Sequence, residues 1–476
     1  MNIRDTIVRQ RRERITRDGH GMGAAVPPRR IAARAVFGAD PLLICEVKRR
    51  SPSRGDIAVG QDAVAQAQGY GELGVKSVSV LTEQDNFGGS LDDLMLIKEA
   101  QPDLAVLRKD FLLDVEDVEV SFRCGADAVL LIASIIESDT LRAMHARALA
   151  LGMAALVEVH DQDDLDKCRP FAPPLLGVNC RDLTTFEIDL LLPLALRPKI
   201  TWPSQLVFES GVRGAEDVLL ARSGGFSGVL VGETVMRHPE LIPSLLNAFG
   251  KEAPGFWPRL MARYRAGRPL VKVCGITNVA DAEAAASYGA DALGFVFAPS
   301  TRRAAPELLR DLRDLRVLKV GVVVTERIND VPVLDDATKA LLAEGLLDAV
   351  QLHGAERPRE CPEIAFPYFK AIRARDRADV DAMAGFGCPR ILADAYSDTA
   401  TGGTGKRIPV DLVREIKKTR PLWLAGGIGP TNVGEVIDAF APELIDASSG
   451  LEESSGRKDP AKLATFFQEI QRHERN

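Results

Sequence analysis

Short runs that are almost entirely apolar recur along the chain, each followed by a longer stretch whose apolar positions have helical spacing. In the first half the runs are LLICEV (42–47), VKSVSVLT (75–82), AVLRKD (105–110), ADAVLLIA (126–133), MAALVEV (153–159), LLGVNC (175–180), QLVFES (205–210) and FSGVLVG (226–232). The second half repeats the rhythm with LVKVCG (270–275), DALGFVF (291–297), LKVGVVV (318–324), LDAVQLHG (347–354), PYFKAI (367–372), RILADA (390–395), LWLAGG (422–427) and LIDAS (444–448). Strands without polar alternation are those covered on both faces, as in parallel sheets flanked by helical crossovers. Eight such strand–helix repeats in each half predict an α/β fold of two (β/α)8 TIM barrels in tandem, with an open doubly wound sheet as the competing architecture.

Between the two series, FGKEAPGFWPRLMARYRAGRP (249–269) carries three prolines and three glycines around a short helical stretch, which sets the expected domains at 1–254 and 255–476. Gly211 and Gly232 close the last two strands of the first series, and Gly427 and Ser448 those of the second, both pairs 21 residues apart. In barrels the loops after strands 7 and 8 commonly hold a phosphate.

At 476 residues, two large domains with sizeable cores are expected. The charge balance of 60 Lys+Arg against 67 Asp+Glu, net −7, is not that of a nucleic-acid polyelectrolyte. Seven scattered cysteines without a C-x-x-C pair indicate neither a disulfide framework nor a zinc site, so a reducing, cytoplasmic setting and no metal are expected. No apolar run approaches the roughly 18 residues that would span a bilayer, so no membrane is expected as a partner. The Arg-rich opening, MNIRDTIVRQRRERI, is broken by Asp5 and Glu13 and reads as a charged leading helix rather than a targeting peptide.

Polar residues at the C-terminal ends of barrel strands converge on one mouth. In the first series these are Glu46, Lys48, Lys109, Asp110, Glu158, Asn179, Arg181, Glu209, Ser210, Gly232 and Glu233. Ionisable groups ending apolar strands are costly unless paired or used, so a structural ion-pair network is the alternative to a reaction site. The loop KRRSPSRG (48–55), which includes Ser51, offers cations and hydroxyls for phosphate or carboxylate oxygens, or is merely a solvated basic loop.

The ordered segments EVKRRSPSRG, TEQDNFGGS, LRKDF, LVEVHD, GVNCRDL, FESGV and VLVGE resemble those of indole-3-glycerol phosphate synthase, over roughly residues 1–250. The resemblance implies cofactor-free ring closure, decarboxylation and dehydration of 1-(2-carboxyphenylamino)-1-deoxyribulose 5-phosphate. It makes Lys109 the general acid, with Lys48 a possible sharer, and gives Glu158 a later proton transfer. Glu46, Lys48 and Asn179 would orient the substrate, while Ser51, Ser210, Gly211, Gly232 and Glu233 would meet its phosphate. Opposite charges from Glu46 and Glu158 would keep Lys109 protonated.

In the second series the strand ends present Lys272, Cys274, Phe297, Gln351, His353, Asp394, Gly426, Gly427, Asp446, Ser448 and Ser449. Cys274 is either a buried apolar filler or a thiolate base facing the carboxyl group of Asp394. VKVCGIT, GFVFAPSTR, VQLHG, ILADA, TGGTGKR, LAGGI and IDASSGLE resemble phosphoribosylanthranilate isomerase across 270–456. That implies an Amadori rearrangement of N-(5-phosphoribosyl)anthranilate, whose product the first barrel would consume. By position Cys274 is the base, Asp394 the acid and Arg302 the binder of the anthranilate carboxylate. Gly402, Gly403, Gly427, Ser448 and Ser449 would hold the phosphate, with Gln351, His353 and Asp446 at the mouth. His353 reads equally as a structural histidine. TGGTGKR is not a nucleotide P-loop, because Ala400 stands where its first glycine is needed and Arg407 where Ser or Thr is needed. The competing readings are one catalytic barrel beside a structural module, and a sensor that binds without turnover.

Overall fold

The computed structural model describes the chain except for residues 1–2, 35–36, 38–40, 52–54, 57–61, 183–186, 254, 330, 359, 362–365, 396–407 and 475–476. It forms two compact units, Met1–Ala253 and Pro254–Asn476. Each contains one closed, eight-stranded barrel. The first barrel consists of β1 (Leu42–Val47), β2 (Ser77–Leu81), β3 (Ala105–Lys109), β4 (Ala128–Ile132), β5 (Ala154–Val159), β6 (Leu175–Asn179), β7 (Gln205–Glu209) and β8 (Gly228–Val231). The second consists of β9 (Leu270–Cys274), β10 (Ala292–Val296), β11 (Leu318–Val323), β12 (Ala349–Leu352), β13 (Tyr368–Ala374), β14 (Ile391–Ala395), β15 (Trp423–Ala425) and β16 (Leu444–Ala447). All neighbours within each barrel pair in parallel, and β1 closes on β8 as β9 closes on β16. Closure excludes the open sheet.

Successive side chains of a strand point to opposite faces, so each barrel strand sorts into an interior and an exterior set. One buried cluster of the first barrel contains Leu42, Ile44, Leu107, Leu130, Leu156, Leu175, Val207 and Leu230. Advancing by twos along the same strands reaches Glu46, Lys109, Ile132, Glu158, Gly177, Asn179, Glu209 and Gly232. The apolar interior therefore ends in a polar layer at the C-terminal rim. The opposite set is illustrated by Arg108, fully buried on the other face of β3, which donates to Asp110 at 2.9 Å and Thr82 at 3.1 Å.

The leading helix, Ile3–Asp18, is tied to the first barrel rather than left free. Its buried Arg11 donates to Asp117 at 2.7 Å and lies 3.8 Å from Asp110, next to Lys109. Ile7 of the same helix joins the buried cluster that contains Phe111.

In the second unit a short helix, Phe256–Met261, places Trp257 6.1 Å from Trp423 at the start of β15, and Trp423 in turn meets Phe369 edge-on at 5.0 Å. The Trp423 indole N–H, which burial would otherwise leave unpaired, donates to Glu443 at 2.6 Å. No helix of the described residues is long and apolar enough to cross a membrane.

Candidate active sites at the two barrel mouths

In the first mouth, Lys109 is the hub. Its Nζ lies 3.6 Å from Glu158 and 3.7 Å from Glu209, and Glu46 forms an ion pair with Lys48 alongside. The Lys109 side chain is 18 % exposed, whereas those of Glu158 and Glu209 are almost wholly buried. Burial alone would push the Lys109 pKa down, but Glu158, Glu209 and Glu46 outweigh it and hold the ammonium above its ordinary range. For Glu46 burial works upward, and Lys48, Lys109 and Arg181 overcome it to keep the carboxylate ionised.

The two carboxyl groups beside Lys109 are driven apart. Burial opposes ionisation of both. At Glu158, Lys109, His160 and Asn179 win, and the group is held well below the usual carboxylate range. At Glu209, burial together with the charge of Glu158 exceeds the help from Lys109 and pushes the group up to about 8. What separates them is His160, whose Nε2 lies 3.2 Å from Glu158 and whose Nδ1 lies 3.4 Å from Asp164. Although burial disfavours its charge, these two carboxylates raise the imidazole to about 10. Burial and charge thus push two neighbouring carboxyl groups in opposite directions.

Gly177 makes room for this arrangement, since a Cβ built on it would sit 1.8 Å from a Glu209 oxygen. Asn179 is anchored by accepting from the Arg181 backbone N–H at 3.0 Å. Ser210 and Gly211 both have left-handed backbone, with φ of 70° and 77°. The strain at Ser210 is backed by the buried Cys180 thiol, which donates to the carbonyls of Glu209 and Ser210. Gly232 precedes the helix Glu233–Arg237, where Glu233 pairs with Arg237 at 3.2 Å. Ser51 belongs to the hairpin strand Arg50–Ser51 after β1, but its side chain lies outside the described residues.

In the second mouth the hub is an ion pair. Lys272 Nζ lies 2.7 Å from Asp446, and its charge also acts on the Cys274 thiol. Cys274 alone of the seven cysteines, all free, is partly exposed, which separates it from the buried apolar fillers. Burial raises its pKa, and Lys272 and Lys458 pull against that rise without cancelling it. Across the mouth His353 Nε2 lies 3.3 Å from Asp394, and its Nδ1 is 3.0 Å from the Gln351 amide. Asp394 also accepts from the Ala395 N–H at 2.8 Å. Asp446, raised by burial, is stabilised by Lys272 and feels the charges of Asp394 and His353. Cys274 and Asp394 thus belong to one charged layer, on β9 and β14 of the same barrel.

Arg302 is engaged by Glu452 through Nε at 2.8 Å and Nη2 at 2.8 Å. Gly427 is left-handed at φ 62°, and its carbonyl accepts from the Asn432 side chain. Ser448 and Ser449 follow β16, the Ser448 carbonyl accepting from Lys458 at 3.3 Å. Gly402 and Gly403 lie outside the described residues.

Both mouths contain buried oxygens without a hydrogen-bond partner: Glu158 Oε2 and both oxygens of Glu209 in the first, Gln351 Oε1 and Asp446 Oδ1 in the second. Buried acceptors are normally satisfied, so these oxygens are free to take a water or a ligand. The residues that sequence reasoning missed are His160, Asp164, Glu452 and Lys458, and Lys272 was named at the rim without a role. His160 had a signal two positions after Glu158 in LVEVHD. Lys458 had none, because it comes from a hairpin beyond the last barrel strand.

Fold and sites together define a tandem (β/α)8-barrel protein with a cluster of buried ionisable groups at the C-terminal rim of each barrel. Residues 6–245 match the family model "Indole-3-glycerol phosphate synthase", and residues 271–469 match "N-(5'phosphoribosyl)anthranilate (PRA) isomerase". The chain belongs to the indole-3-glycerol phosphate synthase family and carries a phosphoribosylanthranilate isomerase domain in tandem. A multifunctional tryptophan biosynthesis protein of Phycomyces blakesleeanus is 30% identical over 93% of this chain, which spans 64% of that relative's length. An indole-3-glycerol phosphate synthase of Exiguobacterium sibiricum is 36% identical, covering 50% of this chain and 93% of its own. The solved phosphoribosyl anthranilate isomerase of Thermotoga maritima is 32% identical over 43% of this chain and 98% of its own, with a TM-score of 0.37.

Proposed function

We propose that the chain is a bifunctional enzyme of tryptophan biosynthesis that performs two consecutive steps on small phosphorylated anthranilate derivatives in the cytoplasm. The barrel within 255–476 would isomerise N-(5-phosphoribosyl)anthranilate to 1-(2-carboxyphenylamino)-1-deoxyribulose 5-phosphate. The barrel within 1–254 would close that product to indole-3-glycerol phosphate with loss of CO2 and water. The observation that carries this reading is the enclosure of Lys109 by Glu158, Glu209 and Glu46 at one rim.

In the synthase step, Lys109 donates a proton to the ribulose carbonyl oxygen as the aromatic carbon attacks, a role suited to an ammonium held charged by the carboxylates of Glu158 and Glu46. Lys48 and Arg181 offer positive charge to the substrate carboxylate until CO2 leaves. Loss of CO2 restores the aromatic ring; in the dehydration that follows, Glu158, kept ionised by Lys109 and His160, accepts a proton from the newly closed five-membered ring, and Glu209, which burial and the charge of Glu158 keep protonated, supplies a proton to the departing hydroxyl. Ser51, Ser210, Gly211, Gly232 and Glu233 lie on the loops assigned to the phosphate.

In the isomerase step, Asp394 protonates the furanose ring oxygen with His353 beside it, and Cys274 removes the C2' proton. Enol formation followed by proton return at C1' then gives the ketose, so no net proton is consumed. Arg302 takes the anthranilate carboxylate; Gly402, Gly403, Gly427, Ser448 and Ser449 take the phosphate. Neither step calls for a cofactor.

The test is the full chain assayed separately for each reaction, unaltered and with Lys109→Ala or Cys274→Ala. Each substitution should remove one activity by at least about 10²-fold and spare the other. An unaltered chain that binds both substrates without turnover would instead establish a sensor, and turnover of one substrate alone would make the second barrel a structural module.

A further inference from the structure

The rim of the second barrel is completed by a hairpin that belongs to no barrel strand. Glu452–Ser454 pairs antiparallel with Arg457–Lys458 directly after β16. Its two inward side chains, Glu452 and Lys458, are buried. The Lys458 ammonium, with 0 % of its side chain exposed, donates to the Cys274 carbonyl at 2.7 Å, the Ser448 carbonyl at 3.3 Å and Glu452 at 3.0 Å. Glu452 in turn grips Arg302, Oε1 on Nε and Oε2 on Nη2, both at 2.8 Å. One lysine therefore joins the backbone of the candidate base, the backbone of a phosphate-loop serine and the carboxylate that holds the arginine.

A guanidinium has two edges that each match a carboxylate, Nε with Nη2 and Nη1 with Nη2. Glu452 fills the first. Nη1 donates no hydrogen bond to any described residue and forms no ion pair with one, so among the described residues the second edge is open. The stem of Arg302 crosses Gly275, where an added Cβ would lie 2.8 Å from Arg302 Cδ and 3.0 Å from Ser448 Oγ. The stem is thus packed against Gly275, the neighbour of Cys274, and beside Ser448.

We propose that Glu452 is a positioning residue for the isomerase step: by occupying one edge of Arg302 it presents the other to the substrate carboxylate, and Lys458 sets the distance from that edge to the thiol and the phosphate loop. The proposal rests on the isomerase reading above. Long, flexible arginines otherwise lose rotamer entropy on meeting a ligand, and a guanidinium already held costs less to use.

The experiment uses the full chain with Glu452→Ala and the near-isosteric Glu452→Gln. Two substrates are compared, N-(5-phosphoribosyl)anthranilate and its carboxyl-free counterpart N-(5-phosphoribosyl)aniline. Glu452→Ala is expected to raise KM for the anthranilate by about tenfold or more while kcat stays within a few-fold, and to leave kcat/KM for the aniline near that of the unaltered chain. Glu452→Gln, which keeps one acceptor, should fall between. An unchanged KM, or an equal loss on both substrates, overturns the proposal, the latter because it marks a merely structural role. Synthase turnover and thermal unfolding of the same samples confirm folding, and Glu452→Gln carries the test should Glu452→Ala unfold. No turnover of either substrate by the unaltered chain would overturn the isomerase reading itself, and this proposal with it.

Discussion

The two mouths solve opposite charge problems with one geometry. In the first, a cation sits among three acidic side chains, of which Glu158 and Glu46 are ionised, and is held charged, as a proton donor must be. In the second, a thiol that should accept a proton sits beside two lysines, yet burial still leaves it protonated at neutral pH. Surrounding charge fully overrides burial at Lys109 and only partly at Cys274. The sign of the neighbours decides which way a buried group is pushed, and their number decides whether it arrives.

The sharpest way to break this comparison is to remove each hub. Lys109→Ala should cost the synthase at least about 10²-fold with isomerase turnover unchanged, and Cys274→Ala the reverse. A parallel loss of both activities in a folded single mutant would contradict independent sites.

A smaller loss should follow from closing the space each site needs. Gly177→Ala puts a methyl group against Glu209, and Gly294→Ala puts one 2.7 Å from the Cys274 sulfur and 2.9 Å from Lys272 Nζ. Each should lower only its own barrel's kcat/KM, by roughly 10-fold to 10²-fold, because misplacement of reacting groups by about an ångström carries that cost. Equal effects on both reactions would point to global destabilisation instead.

The pH profiles sharpen the contrast further. In the proposed synthase step Glu209 acts with its proton on, so synthase kcat/KM should fall on an alkaline limb near pH 8 as that proton leaves, and Glu209→Gln should abolish the limb. In the proposed isomerase step Cys274 acts with its proton off, and it is raised above the ordinary thiol value of 9.0, so isomerase kcat/KM should still be climbing at pH 9. A flat isomerase profile between pH 7 and 9 would mean the thiolate is already formed or is not the base. The mildest expected change is at His160→Asn. Losing the cation behind Glu158 should shift the acid limb of the synthase upward, with a few-fold loss at neutral pH.

All sixteen barrel strands were readable as apolar runs because both faces of each are covered, and the period of two carried Glu46, Lys109, Glu158, Asn179 and Glu209 inward together. The runs overshot by a residue or two at Gln205–Ser210 and Phe226–Gly232, where Ser210 and Gly232 leave extended geometry to begin the loops. Less legible was what stands behind each functional group. His160 matters through a 3.2 Å approach to Glu158 that depends on where the chain turns after β5, and Lys458 through a hairpin with no periodic signature. The resemblance alone makes Arg302 a binder of the anthranilate carboxylate, and nothing local in the sequence reveals that Glu452 occupies one of its edges. Glu233 shows the converse, since its rim position is plain from sequence while its side chain turns back to Arg237.

The aromatic contact at the opposite end of the second barrel bears on how the chain could be dissected. Trp257 precedes β9 by a dozen or so residues, yet it shields Trp423 inside the cylinder from below. A fragment beginning at 255 would keep that stopper. One beginning after Met261 would open the floor beneath β15 to water, and should be less stable by several kcal/mol, of the order of ~3 to 5 for losing a buried indole, while every residue of its catalytic rim remained in place.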